Sequence, residues 1–251
     1  MSETSTRLDL ALVERAFCES REKARRAIMA GQVRINGRPA RKASEGVRFG
    51  DVLELAAPEK FVSRGGHKLE HALEHFHLNV TGLRALDLGA STGGFTDCLL
   101  QRGAASVHAV DVGQAQLAWK LRQDPRVTVM EKTNARGLTP QVFPAPFRPF
   151  ELVVADCSFI SLRKILPAAV ALVAVPGSIV ALVKPQFEAG REEADRGRGV
   201  ITDPAIHARV LAELEQFVRA IPALAWRGVT ESPLIGPAGN KEFLVLLEKT
   251  G

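Results

Sequence analysis

The segment 84–100, RALDLGASTGGFTDCLL, restricts the fold of this chain more than any other stretch. Residues 84–88 predict a short buried strand, and residues 89–94 then combine three glycines with three small residues in one turn. Phe95, Cys98 and Leu99 follow at helical spacing. A strand that breaks on glycines and restarts as a helix lets the main chain approach a ligand closely. The segment therefore predicts a nucleotide-type crevice at the carboxyl end of a parallel strand.

The remainder of the chain from residue 61 alternates between strand and helix patterns. Strands are predicted at 84–88, 106–110, 127–130, 150–156, 178–184, 223–229 and 242–248, with helical stretches between most of them. This order predicts a doubly wound, Rossmann-like α/β sheet with right-handed crossovers. One apolar run, residues 165–183, is nineteen uncharged residues long, but Pro176-Gly177-Ser178 divides it into a helix-length and a strand-length piece. We therefore expect a buried helix and strand there, and no membrane span.

The spacing of the glycines discriminates between nucleotide ligands. A dinucleotide fingerprint, G-x-G-x-x-G, would place a second glycine where Ser91 stands, which weakens the case for NAD(P) or FAD. Asp111 ends the second strand, 22 residues after Gly89, where a carboxylate accepts hydrogen bonds from ribose hydroxyls. A ligand with a ribose but no pyrophosphate fits both observations, as S-adenosylmethionine does. A Rossmann turn that binds some other ligand remains the alternative.

The same turn resembles motif I of the S-adenosylmethionine-dependent methyltransferases, through the sequence DLGASTGGFT at residues 87–96. The resemblance implies that Asp111 is the ribose-binding acid and that Asn134, after the third strand, lies against the adenine. The expected cofactor-binding residues are Asp87, Gly89, Ala90, Ser91, Thr92, Gly93, Gly94, Asp111 and Asn134.

Positive charge is concentrated near the N-terminus. The formal net charge is +5, yet residues 21–48 alone hold nine Lys or Arg and two Asp or Glu, a local +7, so the rest of the chain sums to −2. Such concentration is typical of a surface that binds a polyanion, although a solvated charged face produces the same pattern.

Residues 7–56 predict a self-contained unit. A first helix is expected over 8–17, a second over 21–30 with a cap at Glu19-Ser20, a hairpin that turns at Asn36-Gly37, and a last strand over 52–55. The pattern resembles the S4 RNA-binding domain in its Arg-Leu-Asp start, its Ser-Arg-x-x-Ala-Arg helix, its Gly-x-Val-x-Ile-Asn-Gly hairpin and its Gly-Asp-Val-Leu end. The expected domains are an S4 domain at 1–57, a linker at about 57–61, and a methyltransferase domain at 62–251.

A cluster of cations on the second helix is suited to folded RNA, because it can follow phosphates by shape and charge without reading bases. Arg21, Arg25 and Arg26 fall within about a turn and a half of this helix. The expected RNA-binding residues are Arg7, Arg21, Lys23, Arg25, Arg26, Arg34 and Arg64.

Four charged residues stand at the ends of predicted elements, and the carboxyl ends of strands in this fold face the ligand crevice. Asp156 and Lys184 end two strands, Lys68 opens a helix after the flexible Arg64-Gly65-Gly66, and Glu242 begins the last strand. Two lysines near two carboxylates are suited to methylating a ribose 2′-hydroxyl, which must lose a proton as it attacks. Asp156 and Lys184 could each also be an ordinary solvent-facing terminus.

Further motifs extend the resemblance to a known family over the entire chain. FVSRGGHKLEHAL, DLGASTGGFTDCLL, ADCSFISL, ALVKPQFEAGR and GNKEFL after an S4 domain are similar to the TlyA family. That resemblance implies a FtsJ-like domain that transfers a methyl group from S-adenosylmethionine to a cytidine 2′-hydroxyl of ribosomal RNA in ribosomal subunits. It also implies a catalytic Lys-Asp-Lys-Glu tetrad at Lys68, Asp156, Lys184 and Glu242.

Rival chemistries have weaker support. Cys157 could serve a cytosine C5 methyltransferase, but Asp156 stands where the proline of that motif belongs. Asp156-Cys157-Ser158-Phe159 also lacks the prolines of the amine methyltransferase motif. His71, Glu74 and His75 match a zinc pattern, with His67 nearby, but histidines at helical spacing are common by chance. We expect no metal.

Two non-enzymatic functions stay open. The TlyA-like proteins are historically labelled hemolysins, so a membrane-acting hemolysin is one alternative, and a ribosome-binding assembly factor without catalysis is another. Three separated cysteines and no signal peptide predict a cytoplasmic protein with reduced thiols, and no obligate protein partner is evident.

Overall fold

The computed structural model describes residues 5–56 and 59–251, and within 191–196 it describes the side chains at 192, 193 and 195 only. The chain divides into two compact units, Met1–Lys60 and Phe61–Gly251. Residues 57 and 58 of the predicted linker, and residues 1–4 of the predicted first domain, lie outside the described residues.

The described part of the N-terminal unit consists of two helices and five short strands. In chain order they are β1 (Thr6–Arg7), α1 (Leu8–Glu14), α2 (Arg21–Met29), β2 (Val33–Ile35), β3 (Arg38–Pro39), β4 (Gly46–Val47) and β5 (Leu53–Leu55). Strands β3, β2 and β5 form an antiparallel sheet in that order, and β1 pairs with β4. Apolar side chains from both helices and the sheet, including Leu8, Leu12, Ile28 and Val33, form its buried core.

Local chemistry explains these elements. The Ser20 hydroxyl accepts a hydrogen bond from the Lys23 backbone N–H and so caps α2, as predicted. Asn36 and Gly37 both have positive φ, as a two-residue type I′ hairpin requires. The predicted extent of the first helix to Phe17 was wrong. The helix ends at Glu14 because Ala16 turns left-handed and the next two N–H groups fold back onto the Leu12 carbonyl.

The larger unit is built on a seven-stranded sheet. Its strands are β6 (Arg84–Leu88), β7 (Ser106–Val110), β8 (Val127–Met130), β9 (Phe150–Ala155), β10 (Val173–Val183), β11 (Leu224–Glu231) and β12 (Phe243–Lys249), in the spatial order β11-β12-β10-β9-β6-β7-β8. The pairs from β10 to β8 are all parallel, whereas β12 is antiparallel to both of its neighbours. The predicted α/β sheet is therefore confirmed, with one reversed strand inserted near its edge.

Helices cover both faces of this sheet. They are α3 (Gly65–His75), α4 (Gly94–Gln101), α5 (Trp119–Arg122), α6 (Leu166–Leu172), α7 (Pro185–Glu188), α8 (Arg191–Arg196) and α9 (Pro204–Arg219), with short 3₁₀ turns at Ala135–Gly137, Pro140–Val142 and Leu162–Lys164. Side chains alternate along β9: Leu152 packs in the cluster that contains α3 and α4, and Val153 packs in the cluster that contains α6 and α9. This two-sided burial explains why the central strands are almost uninterrupted apolar runs.

The apolar run 165–183 forms a helix and a strand, as expected, but the strand begins earlier. Strand β10 starts at Val173, and its register against β9 shifts between Val173 and Ser178, so Pro176 is accommodated at the irregularity rather than ending the strand. No helix within 5–56 or 59–251 is long and apolar enough to cross a bilayer.

The order of the strands locates the crevice. From β6 the chain proceeds to β7 and β8 on one side, and from β9 to β10 on the other, so the direction of winding reverses between β6 and β9. Ligands of open α/β sheets bind beyond the carboxyl ends of the strands at such a reversal. Gly89–Gly94 follow β6 and Asp156 follows β9, which places both at this point.

Candidate active site

The glycine turn after β6 is shaped by close contacts with neighbouring strands. Gly89 has φ +84°, and a Cβ there would lie 2.7 Å from the Asp156 carbonyl oxygen, so the main chain can run this way only without a side chain. The N–H groups of Gly89 and Ala90 both donate to the Val110 carbonyl at the end of β7. The turn is thereby held between the ends of β6, β7 and β9, and Gly93, with φ +97°, immediately precedes α4.

Asp111 is oriented by the turn itself. Its Oδ2 accepts the Ser91 N–H at 2.8 Å and its Oδ1 accepts the Gly113 N–H at 2.7 Å. Asp111 and Asn134 line the same cavity, of about 430 Å³, together with Gly89 and Ser91. A carboxylate fixed in this way still has lone pairs for the two hydroxyls of a ribose. The site therefore fits the nucleoside part of a cofactor.

Asp87 supports the turn from beneath. Its side chain is fully buried, it accepts a hydrogen bond from the Thr96 hydroxyl at 2.7 Å, and burial raises its pKa to about 7. Its Oδ1 is buried without a hydrogen-bond partner among the described residues. Neither Asp87 nor Gly93 contributes to the lining of the cavities found within 59–251, whereas the other predicted cofactor residues do.

The four charged residues predicted to be catalytic meet in an adjoining cavity of about 290 Å³. Lys68 forms an ion pair with Glu242, and Lys184 Nζ lies 2.6 Å from Asp156 Oδ1. Both lysine side chains are only 10% exposed, and the Glu242 side chain is 2% exposed, so these charges are largely removed from water. The two cavities share Gly89, Ser91, Asp156 and Ser158, and they form one continuous crevice.

Each of these residues is supplied by the end of a different element. Asp156 follows β9, Lys184 follows β10, Glu242 precedes β12, and Lys68 lies in the first turn of α3. The expected flexible segment before Lys68 was wrong in part, because Gly65 and Gly66 are the first residues of α3. A Cβ on Gly66 would lie 2.2 Å from Phe61 Cγ, so these glycines permit tight packing of the helix start.

Several supporting residues were missed in the sequence. Ser158 accepts a hydrogen bond from Lys184 Nζ at 2.8 Å. Asp97 is buried and accepts the Val62 N–H, which anchors the segment leading to Lys68. Asn240 is 1% exposed and bridges the Ile201 N–H and the Gly199 carbonyl, which anchors the loop before Glu242. A polar residue inside an otherwise apolar motif, such as Asp97 in GGFTDCLL, is the sequence signal that could have indicated such a supporting role.

Phe159 is a further residue that the pattern did not single out. Its side chain is 90% exposed, it lines the cavity that contains Asp111, and its backbone has a left-handed φ of 63°. Its ring lies 5.2 Å from that of Phe187, centre to centre. An exposed aromatic ring at the edge of a crevice can stack on a nucleobase.

Cys157 and the histidines, which were considered for other chemistries, have contacts of a different kind. Burial, followed by the nearby Asp156 carboxylate, raises the pKa of the Cys157 thiol to about 12, so the thiol keeps its proton, which disfavours a nucleophilic role. His71 Nε2 lies 3.0 Å from the Thr230 hydroxyl, and its ring stacks on that of His75. Among the residues that the structure describes, no three His, Cys, Asp or Glu side chains are grouped to hold a metal ion.

In the N-terminal unit, three of the predicted RNA-binding arginines converge on one carboxylate. The Nε atoms of Arg7, Arg21 and Arg25 lie 3.0, 2.8 and 3.1 Å from the carboxylate oxygens of Asp9, whose side chain is fully buried. Hydrogen bonds from Arg7, then from Arg21 and Arg25, hold the pKa of Asp9 well below its usual range. The side chains of these three arginines stay about half exposed.

The other predicted RNA-binding residues are dispersed. Arg26 and Lys23 form exposed ion pairs with Glu22 and Glu19, one helical turn away. Arg34 donates to the Gly37 carbonyl of the hairpin. Arg64 belongs to the larger unit and lines the cavity that holds Lys68.

Comparison with known proteins identifies both units. The model of the FtsJ-like methyltransferase family matches residues 61–249, and that of the S4 domain matches residues 6–53. The 16S/23S rRNA (cytidine-2′-O)-methyltransferase TlyA of Mycobacterium tuberculosis is 50% identical over 246 residues, which cover 96% of this chain and 89% of the relative.

Solved structures agree with this assignment. A protein from Streptococcus thermophilus, provisionally named a hemolysin, is 44% identical with a TM-score of 0.73, covering 99% of this chain and 90% of its own. The O-methyltransferase TomG of Streptomyces achromogenes, solved with S-adenosylmethionine, is 16% identical with a TM-score of 0.53 over 77% of this chain and 83% of its own, which shows a shared fold. The chain therefore belongs to the FtsJ-like methyltransferases and, with its S4 domain, to the TlyA family.

Proposed function

We propose that this protein transfers a methyl group from S-adenosylmethionine to the 2′-hydroxyl of a cytidine in ribosomal RNA. The observation that carries the proposal is the pair of lysine–carboxylate ion pairs, Lys68–Glu242 and Lys184–Asp156, in one crevice with the glycine turn. We also assign residues 1–57 to the RNA-binding domain and 62–251 to the catalytic domain.

The cofactor would occupy the crevice along the glycine turn. Gly89, Ala90, Ser91, Thr92 and Gly94 would border it with main chain, Asp111 would accept the ribose hydroxyls, and Asn134 would contact the adenine. Gly93 and the buried Asp87 would hold the shape of the turn. When bound, S-adenosylmethionine supplies a methyl group on a positively charged sulfur.

Lys184 is our candidate for the base. In its amine form it would accept the proton of the 2′-hydroxyl while the hydroxyl oxygen bonds to the methyl group and the bond between the methyl group and sulfur breaks. The positive charge would pass from sulfur, which leaves as a neutral thioether, to Nζ. Asp156, 2.6 Å away, would stabilise this new charge, and Ser158 would help to orient the amine. Asp156 and Ser158 border both cavities, and this supports a base beside the cofactor crevice.

Lys68 would act through charge and position. Its ion pair with the nearly fully buried Glu242 fixes its ammonium group in the cavity. A fixed cation there would stabilise negative charge on the attacking oxygen.

The N-terminal unit would bring the RNA. Arg7, Arg21, Lys23, Arg25, Arg26 and Arg34 would contact phosphates, Arg64 would do so at the crevice, and Phe159 would stack on the base of the target nucleotide. An enzyme of ribosomal subunits would work in the cytoplasm.

The test is to incubate the purified protein with bacterial ribosomal subunits and methyl-labelled cofactor, and then to map the label. We expect the label on a ribose 2′-oxygen of a cytidine. Label on a base or on protein would refute the proposed reaction. Tight binding of subunits with no transfer would indicate an assembly factor, and lysis of vesicles with no transfer would indicate a hemolysin.

A further inference from the structure

The most exposed aromatic residue of the N-terminal unit is Phe49, whose side chain is 99% accessible to solvent. It lies in the turn between β4 and β5. Phe95 and Phe150, in the other unit, are almost completely buried, as is usual for this residue type. Leaving a large ring in water forgoes the roughly 1.5–3 kcal/mol that its burial would contribute to stability.

The turn that carries Phe49 is held firmly on both sides. The Arg15 guanidinium group donates to three backbone carbonyl oxygens of this turn, those of Arg48 at 2.7 Å, Phe49 at 3.2 Å and Asp51 at 2.6 Å. The Asp51 carboxylate accepts the Arg48 N–H at 2.7 Å, and the Asp51 N–H donates back to the Arg48 carbonyl. Five hydrogen bonds thus fix the backbone on which the exposed ring stands.

A second turn braces the first. The Asn36 side chain donates to Asp51 Oδ1 and accepts the Val52 N–H, both at 2.8 Å, and the Asn36 N–H donates to the Val52 carbonyl. The hairpin turn at Asn36-Gly37 and the Phe49 turn therefore lie side by side. Because the turn is ordered before any partner arrives, its entropic cost on binding is small.

Arginines flank the turn that carries the ring. Arg48 precedes Phe49, Arg15 lies beneath its carbonyl, and Arg34 donates to Gly37 in the adjoining hairpin. The one carboxylate held in the turn, Asp51, has its pKa lowered by the Arg48 N–H and the Asn36 amide, and its charge is met by these donors. A flat aromatic surface among arginines matches a nucleobase whose flanking phosphates need neutralising.

We propose that Phe49 is a second RNA contact of this protein, a fixed platform on which an unpaired nucleobase stacks. The inference rests on the proposed RNA-binding function of the N-terminal unit. It adds a contact to the base, whereas the arginines of that unit contact phosphates. Stacking is tolerant of sequence, so the platform selects an unpaired nucleotide rather than a particular base.

The test measures the affinity of the full-length protein for protein-free ribosomal RNA, at several salt concentrations, for Phe49→Ala, Phe49→Leu and Phe49→Tyr. Loss of one base–aromatic stack should raise the Kd of the Ala variant about 5- to 150-fold. The Tyr variant should bind like the parent because it keeps an aromatic ring. The Leu variant should lose most of the affinity that stacking contributes, because it keeps an apolar side chain but has no ring. The salt dependence should not change, since no cation is lost.

Met29→Ala is the matched control, because Met29 is another apolar residue of this unit and is 87% exposed. It should leave the Kd unchanged. Parental affinity in the Ala variant, or in the Leu variant, would overturn the proposal. A defect seen with intact subunits but not with protein-free RNA would also overturn it, since Phe49 would then contact a protein.

Arg25→Ala separates this inference from the function on which it rests. If Arg25→Ala weakens binding and lowers its salt dependence while Phe49→Ala does not affect affinity, only the stacking platform is wrong. If neither change affects affinity, the proposed RNA-binding unit is wrong as well.

Discussion

Replacing Asp9 by Asn should weaken RNA binding even though it makes the protein more positive. Asp9 is the buried acceptor on which Arg7, Arg21 and Arg25 converge. Arg21 and Arg25 use their Nε atoms for this contact, so the carboxylate fixes each guanidinium group while the side chain stays about half exposed. The neutral amide of Asn keeps one acceptor oxygen but loses the charge that holds three cations together.

The size of the loss in RNA affinity follows from the number of arginine side chains that position 9 no longer holds in place. Immobilising a long side chain on binding costs about 0.5–1.5 kcal/mol, so three arginines cost at least about 1.5 kcal/mol, roughly tenfold in Kd. The added positive charge works in the other direction, by about 0.5 kcal/mol at physiological salt. We expect a net loss of about fivefold.

Glu22→Gln is the matched control, because Glu22 lies on the same helix and pairs with Arg26 at the surface. It changes the net charge by the same amount without freeing the cluster, and affinity should rise by about twofold. The assay is fluorescence anisotropy with labelled ribosomal RNA at 0.15 M salt, alongside thermal melting to confirm folding. Equal affinities of the two variants would refute the idea that Asp9 positions the arginines.

Three further predictions concern the catalytic unit. In Asp87→Asn, the stability of the fold should become less dependent on pH. The raised pKa means that the Asp87 carboxyl of the native protein holds a proton between about pH 4 and 7, so its contribution to stability is lost as the pH rises, by about 3 kcal/mol between pH 5 and 8. Urea unfolding at both pH values should show this loss only in the parent protein. In Asp111→Ala, loss of the proposed ribose acceptor should weaken S-adenosylmethionine binding about 10- to 100-fold by calorimetry, and an unchanged affinity would remove Asp111 from the cofactor site. In Phe159→Ala, the KM for ribosomal subunits should rise about 5- to 150-fold, and an unchanged KM would exclude stacking on the target base.

Much of the catalytic unit could be predicted from the sequence, because its signals are local. Strands buried on both faces are apolar runs, and the strands that follow one another along the chain end at one edge of the sheet. Charged residues just after such runs, like Asp156 and Lys184, were therefore expected to meet. The reversed direction of β12 left no such signal, since a strand pattern is the same in both directions.

Other features depend on contacts between distant residues. Nothing near Asp9 in the sequence indicates that Arg21 and Arg25, on another helix, would share its carboxylate. The exposure of Phe49 is equally hidden, because an isolated phenylalanine in a short turn more often packs inward. The early end of α1 depends on Ala16 adopting a left-handed conformation, which alanine adopts only rarely.

The most direct test of the proposed chemistry is the single-turnover rate of methyl transfer in Lys184→Ala and Lys184→Arg, with cofactor affinity measured in parallel. Arg keeps the positive charge beside Asp156 but cannot give up a proton, so it separates a base from a merely electrostatic group. If Lys184 is the base, both variants should bind S-adenosylmethionine like the parent and lose about 10²- to 10⁴-fold in rate. Transfer at the parental rate by either variant would contradict the assignment.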